Sequence, residues 1–234
     1  MNKLPILISI VVILMVLGTP SYGAANTVYL PIVNNEVVSQ QPPTPGKVSI
    51  SNDFAYVSSI DTLHVVGEVY NGTSKTLRFL KITANLYDIH GMLIDVDFTF
   101  SALDNIPPSD KTCFEIIFLE PAGWSSYEFE PVTYYEDGSA VTGLTALNVS
   151  GSYESSFGWY EILGEIRNDN TNPVNYVSPI ATLYNASGNV IGCDFTFVNS
   201  THLAPAQKSS FEITSSGRDY SDVSNYRVQV DGNP

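Results

Sequence analysis

The sequence predicts an all-β protein of two tandem antiparallel sandwiches, and three observations carry that expectation. Apolar and polar residues alternate with a period of two over many short stretches. Aromatic residues make up 12% of the 234 positions, with 14 Tyr and 11 Phe. A long segment also recurs without a gap. Alternation with period two is what a strand buried on one face requires. Flat and β-branched side chains suit a pleated surface, and internal repetition means one small folding unit used twice. Hydrophobic residues at 44% suffice for real cores, and charged ones at 15% are too sparse for a disordered chain.

The first element is an export signal over residues 1–23. Lys3 supplies a positive start, and Leu4 to Leu17 is apolar apart from Pro5 and Ser9. A core of that length falls short of the roughly 20 residues a helix needs to span a bilayer. Gly18, Thr19, Pro20 and Ser21 break the helix, and small residues place cleavage after Gly23 or after Ala25. The alternative is an uncleaved N-terminal anchor. No cysteine lies here, so lipid anchoring is not expected. The expected location is therefore secreted or extracellular, with no membrane span once the signal is removed. Residues 24–46, with Gln40-Gln41-Pro42-Pro43-Thr44-Pro45-Gly46, read as an extended spacer.

The repeat comes next. Displacing the chain by 97 residues lays Gly67 to Ile116 on Gly164 to Ile213, with 17 of the 50 positions identical. Among them are Gly67/Gly164, Glu68/Glu165, Asn71/Asn168, Leu86-Tyr87/Leu183-Tyr184, Gly91/Gly188 and Lys111/Lys208. Asp97-Phe98-Thr99-Phe100 returns as Asp194-Phe195-Thr196-Phe197, and Phe114-Glu115-Ile116 as Phe211-Glu212-Ile213. Two domains follow, 47–138 and 140–234, with a boundary near Asp137-Gly138-Ser139 short enough for them to touch.

In each copy the strands can be placed in order. Short strands near Val48 to Ser51 and Ala146 to Ser150 open the copies. Leu63 to Tyr70 and Tyr160 to Arg167 follow, ending at Asn71-Gly72 and Asn168-Asp169. Next come Phe79 to Tyr87, with Leu80, Ile82, Ala84 and Leu86 on one face, and Tyr176 to Tyr184, with Val177, Pro179, Ala181 and Leu183 on one face. Asp88-Ile89-His90-Gly91 and Asn185-Ala186-Ser187-Gly188 supply tight turns, opened by an Asx side chain and closed by glycine. A hairpin follows, whose returning strand carries Ile94, Val96, Phe98 and Phe100 on one face, or Ile191, Cys193, Phe195 and Phe197. A proline loop leads into strands bearing Phe114 and Ile116, or Phe211 and Ile213, and a last strand lies within Tyr127 to Tyr135 and within Tyr226 to Val230. Six or seven strands in each copy fit an immunoglobulin-like sandwich.

Cys113 and Cys193 are the only cysteines. They hold different positions in different repeats, which argues against a bridge. Cys193 shares the stripe of Ile191, Phe195 and Phe197 and is expected to act as a small buried hydrophobe. Cys113 alternates with Phe114 and points away from its core. The two thiols are expected to stay apart.

The repeat resembles the FxLYD domain, a small β-sandwich module of secreted and surface proteins. The hallmark stands as Ala84-Asn85-Leu86-Tyr87-Asp88 and as Ala181-Thr182-Leu183-Tyr184-Asn185, with Ala in place of the first Phe in both and Asn for the last Asp in the second. The Gly-Glu-x-x-Asn strand end, the turn glycine and the proline loop also match. The resemblance implies the fold and an extracellular setting, and it brings no catalytic set.

The chemistry is sparse. Net charge is −14, from 10 basic and 24 acidic residues, which disfavours nucleic acid as a partner. Hydroxyl–histidine–carboxylate hydrolysis needs an oriented histidine, yet His64, His90 and His202 each lack a counterpart in the other copy and read as solvated surface groups. Asp97/Asp194 and Glu68/Glu165 read as structural surface carboxylates, since no calcium-loop pattern accompanies them. Glu128, Glu130, Glu136 and Asp137 read as a solvated strand edge. No phosphate-cradling loop or zinc spacing occurs. Asn71, Asn148, Asn185 and Asn199 each open an Asn-x-Ser/Thr sequon. No enzyme, cofactor, metal or catalytic residue is expected. Two functional readings remain. One is a non-catalytic module that contacts a protein or cell-surface component; the other is a carbohydrate-binding module using Trp124, Trp159 and Tyr160. Oligomeric state is left open.

Overall fold

The computed structural model describes residues 46–119 and 122–233. The expected signal segment and almost all of the spacer lie outside the described residues. The fold is all-β, with every sheet antiparallel.

In the first repeat, β1 (Val48–Val57), β2 (Leu63–Asn71) and β6 (Lys111–Phe118) form one sheet in the order β1-β2-β6. The facing sheet centres on β3 (Leu77–Asp88), which pairs with β4 (Leu93–Phe100), β5 (Asn105–Ile106), β7 (Trp124–Phe129) and β8 (Thr133–Tyr135). The second repeat has β9 (Leu144–Glu154), β10 (Trp159–Asn168) and β14 (Lys208–Ser215) in the order β14-β10-β9. Opposite it, β11 (Val174–Tyr184) pairs with β12 (Val190–Phe195), β13 (His202–Leu203) and β15 (Asn225–Asn233).

The identities between copies have physical causes. Gly67 lies opposite Phe114 and Gly164 opposite Phe211. A Cβ on either glycine would come within 2.7 Å of the phenylalanine ring, so the ring lies flat across the strand only because the side chain is missing there. Asn71 and Asn168 are fully buried. Asn71 Nδ2 donates to the carbonyls of Lys75 and Ile106 at 2.8 Å each, and Asn168 Nδ2 to those of Asn172 and Leu203 at 2.9 and 2.8 Å. Each asparagine thus ties the proline loop to the strand end and satisfies carbonyls that would otherwise be buried alone. The first sequon therefore has its amide committed to the interior. Asp88 Oδ1 accepts from the backbone of His90 and Met92, and Asn185 Oδ1 from Ser187 and Asn189. These are the expected Asx turns, closed by Gly91 at φ 76° and Gly188 at φ 81°.

Two buried clusters form, one mainly in each repeat, the first reaching Ile180 of the second repeat and the second packed on by Phe54 of the first. Leu63, Leu80, Ile82, Leu86, Phe114 and Phe118 centre the first; Ile162, Ile166, Leu183, Ile191, Phe211 and Ile213 centre the second. From Gly46 onward the described residues nonetheless form one compact unit, because the sandwiches are stacked. Strand β12 lies across β1, β2 and β6, so the outer face of the second repeat's β11–β12–β15 sheet covers the outer face of the β1–β2–β6 sheet.

Two expectations fail together. The stripe Ile94, Val96, Phe98 and Phe100 faces outward, with Phe98 48% exposed, and Phe195 in the second copy is 62% exposed. The register decides this. Ile82 and Ala84 of the buried face lie opposite Thr99 and Asp97, so the phenylalanines must point to the other side. Period two says which residues share a face, and the paired strand says which face is inside. The cysteines follow. Cys193 is on the outer face of its sheet, as Cys113 is of its own, and the stacked faces bring them together. They form a disulfide across the repeats, with Cα atoms 5.7 Å apart.

Candidate functional site

Two surfaces carry the side chains of functional interest: the junction between the repeats and the open face of the β3–β4 sheet.

The junction is built on Glu68, which is fully buried. Its Oε2 accepts from Asn52 Nδ2 at 2.9 Å and from Lys111 Nζ at 2.7 Å, and its Oε1 accepts from Tyr184 Oη of the other repeat at 2.6 Å. A buried carboxylate is tolerated because a cation and two donors replace its water. Burial and the facing Glu68 carboxylate push the Tyr184 phenol far above its ordinary range, so it remains a donor. Around this centre Arg227 pairs with Asp110 at 2.7 Å, Gln229 donates to the Lys111 carbonyl at 2.9 Å, and the Asp104 amide donates to Asp231 at 2.8 Å.

At the other end of the junction stands His64, which is not a solvated surface group. Its Nδ1 lies 2.8 Å from Glu115 Oε1 and its Nε2 2.9 Å from Thr62 Oγ1, while Tyr56 stacks on the ring at 4.8 Å. Strands β1, β2 and β6 place these side chains on one face, because Tyr56 lies opposite His64 and His64 opposite Ile117. Hydroxyl, imidazole and carboxylate in line are the ingredients of nucleophilic catalysis. Here, however, Thr62 is only 8% exposed and its oxygen lies 2.6 Å from Ser58 Oγ. The stacked Tyr56 covers the imidazole, and Tyr56 Oη approaches Tyr220 Oη of the second repeat at 3.4 Å. The chain of hydrogen bonds closes the junction rather than presenting a nucleophile. Asp194, expected at the surface, instead lies opposite the buried Ala181 of β11 on the inward side of the sheet. Burial raises its carboxyl to about 6, with Glu115 adding to the rise and His64 opposing it.

His90 is exposed in its turn, and His202 Nδ1 is 2.9 Å from Asn175 Oδ1. The acidic residues Glu128, Glu130, Glu136 and Asp137 are exposed, and Arg78 holds Asp137 with two hydrogen bonds at 2.6 and 3.0 Å. Among the described residues no group of three or more His, Cys, Asp or Glu is placed to hold a metal, and no helix is long and apolar enough to cross a membrane. A shallow cavity of about 180 Å³ lies between Ala140–Thr142 and Asn170–Val174, without a titratable side chain.

Trp124, Trp159 and Tyr160 are not brought into one platform. Trp124 packs on the first core and Tyr160 on the second. Trp159 points to the opposite side of β10 from Tyr160 and stacks on Phe157 at 4.6 Å. The aromatic face that does form is made by residues whose alternation alone reads as a core strand. On the outer side of β3 and β4, Phe98 meets Phe100 edge to face at 6.0 Å, Phe79 meets Phe100 at 6.5 Å and Tyr135 at 6.4 Å, and Lys81 Nζ sits 3.9 Å from the centre of the Phe98 ring. Phe195 and Phe197 repeat the pair at 6.2 Å. The duplicated Asp-Phe-Thr-Phe was the available signal.

No protein-family model matches the chain, and no curated protein matches it. Among solved structures, it is similar to red sea bream transglutaminase, with 13% identity over 80% of this chain and 29% of that one, at a TM-score of 0.26. It is also similar to the exo-chitosanase of Amycolatopsis orientalis, with 12% identity over 80% of this chain and 25% of that one, at a TM-score of 0.28. The chain thus spans under a third of the length of either protein.

Proposed function

We propose that this is an exported, non-catalytic β-sandwich repeat protein that acts by presenting a surface to a protein or cell-envelope component. The observation that carries the reading is the pair of outward phenylalanines kept in both copies, Phe98 and Phe100 in one and Phe195 and Phe197 in the other. Exposed contiguous apolar side chains are costly in water and mark contact surfaces, and aromatic residues supply much of the energy at such contacts. The apolar segment Leu4 to Leu17 and the resemblance to FxLYD domains support export. The closed surroundings of Thr62 and His64 support the absence of catalysis.

The test is retention of solubilised native envelope components on immobilised protein, compared with a Phe98→Ser/Phe100→Ser variant. A component held by the wild type and released by the variant is expected. Equal retention by both, or by neither, would sink the reading. The exposed Phe157 stacked on Trp159 favours carbohydrate binding as a second reading. Polysaccharide affinity gels with Trp159→Ala and Phe157→Ala check it; unaltered migration of wild type and variants on every glycan ends it.

A further inference from the structure

We propose that the chain associates head to tail with further copies of itself, the outer face of the β3–β4 sheet of one copy docking on the outer face of the β9–β10–β14 sheet of the next, as its own two repeats dock on each other. This goes beyond the contact-surface reading: Phe195 and Phe197 stay exposed beside the junction within the chain, so the contact proposed here leaves Phe98 and Phe100 free for that other partner.

The argument starts from the junction already described. Tyr184 of the second repeat donates to Glu68 of the first, and Lys111 completes the contact. All three positions are identical in the two copies: Tyr184 matches Tyr87, Glu68 matches Glu165, and Lys111 matches Lys208. One set is used within the chain. The other set is left divided, with Tyr87 at one end of the stack and Glu165 with Lys208 at the other. Glu165 keeps the local half of the arrangement, since Asn148 donates to its Oε2 at 3.0 Å and Lys208 lies 3.7 Å from the same oxygen. Among the described residues no side chain donates to Glu165 Oε1, the oxygen that Tyr184 meets in Glu68. The divided set is a second copy of the same contact, complete only between molecules.

The apolar residues agree. Val66 is fully buried under the second repeat, whereas its match Leu163 is 44% exposed. Cys193, covered by the first repeat, matches Val96 in the exposed stripe. Charge agrees as well. By register Glu128 stands beside Asn85 as Arg227 stands beside Thr182, so the Arg227–Asp110 pair is replaced. On the opposite face Gln207 takes the place of Asp110, which removes the carboxylate that would have repelled Glu128 and leaves Lys208 beside it. A contact between two different faces of one molecule does not close on itself, so it builds open chains.

The duplication also supplies the test. Cys113 matches Ser210 and Cys193 matches Val96, so Val96 and Ser210 are the positions a second bridge would join. Val96→Cys protein and Ser210→Cys protein are mixed in a glutathione redox buffer and resolved without reductant, with peptide mapping of the bridged species. Both sites are exposed, so neither variant threatens folding. The expected product is a mixed dimer joined through the two substituted positions, favoured about tenfold over either like-with-like dimer. Sedimentation of the unmodified chain is expected to show mass rising with concentration. Tyr87→Phe and Glu165→Gln should each weaken that association about tenfold, the weight of one charge-assisted hydrogen bond, with unchanged melting temperature. A monomer at every concentration, or like-with-like bridges in equal yield, overturns the proposal. Because this assay contains only the purified chain, such a result leaves the envelope-retention test to decide the broader reading.

Discussion

Asp194 lies opposite the buried Ala181 on the inward side of the β11–β12 sheet. The repeated Asp97 and Asp194 suggest a surface role, yet the alternation that puts phenylalanine outside puts aspartate inside. Its neighbours are Glu115, His64, Tyr56 and Tyr220. Burial lifts its carboxyl from 3.8 to about 6, so the folded protein holds the proton more tightly than the unfolded chain does. Stability is therefore lost as pH rises from about 4 to about 6, and the full cost, of order 3 kcal/mol, persists above that window. Asp194→Asn should remove the cost. Melting temperature should rise by about 6 to 12 °C at pH 7.5 and change little at pH 4; equal shifts at both pH values would show that charge burial is not the cause.

At the scale of an element, β4 is the informative strand. It carries Val96, Phe98 and Phe100 outward because β3 commits Ile82 and Ala84 to the core and the register holds Thr99 and Asp97 opposite them. An outward stripe contributes little to folding. Phe98→Ser with Phe100→Ser should change the urea midpoint by less than about 1 kcal/mol in equivalent stability, whereas Leu86→Ala on β3 should cost about 2 to 5 kcal/mol. Equal, large losses for both would mean that the phenylalanines are core residues. The boundaries of β2, β3, β10 and β11 were legible to within a few residues, because apolar side chains recur along them and Asn or Asp stands at or just beyond their ends. The two-residue strands β5 and β13 were not, since pairs such as Asn105–Ile106 and His202–Leu203 are too short for any period to show.

For the whole molecule, the decisive feature is the stacking of one sandwich on the other and the disulfide that spans them. Cys113 and Cys193 are 80 residues apart, and closing a loop of that length in the unfolded chain is worth about 4 kcal/mol. The Cys113→Ala/Cys193→Ala variant should unfold at a clearly lower urea concentration, with the loss falling on the junction. Hydrogen exchange at Thr112, Glu68 and Tyr184 should quicken more than at Phe211 or Ile213. An unchanged midpoint would mean that the noncovalent junction alone holds the repeats together. Glu68, Arg227 and Asp110 belong to this scale too. Nothing near them in sequence marks Glu68 as buried, because the phenol that meets it lies 116 residues away.

What the sequence determined alone was local and periodic: the repeat and its 97-residue displacement, the Asx turns, the hairpins, and the sets of residues sharing each strand face. Those follow from side-chain alternation and turn chemistry, which act over a few residues. Only the tertiary structure decided which face of β4 and β12 meets water, that His64 and Asp194 are enclosed, and that two distant cysteines join. Each of these depends on which sheet lies against which, and a pleated strand offers the same pattern whichever of its sides is covered.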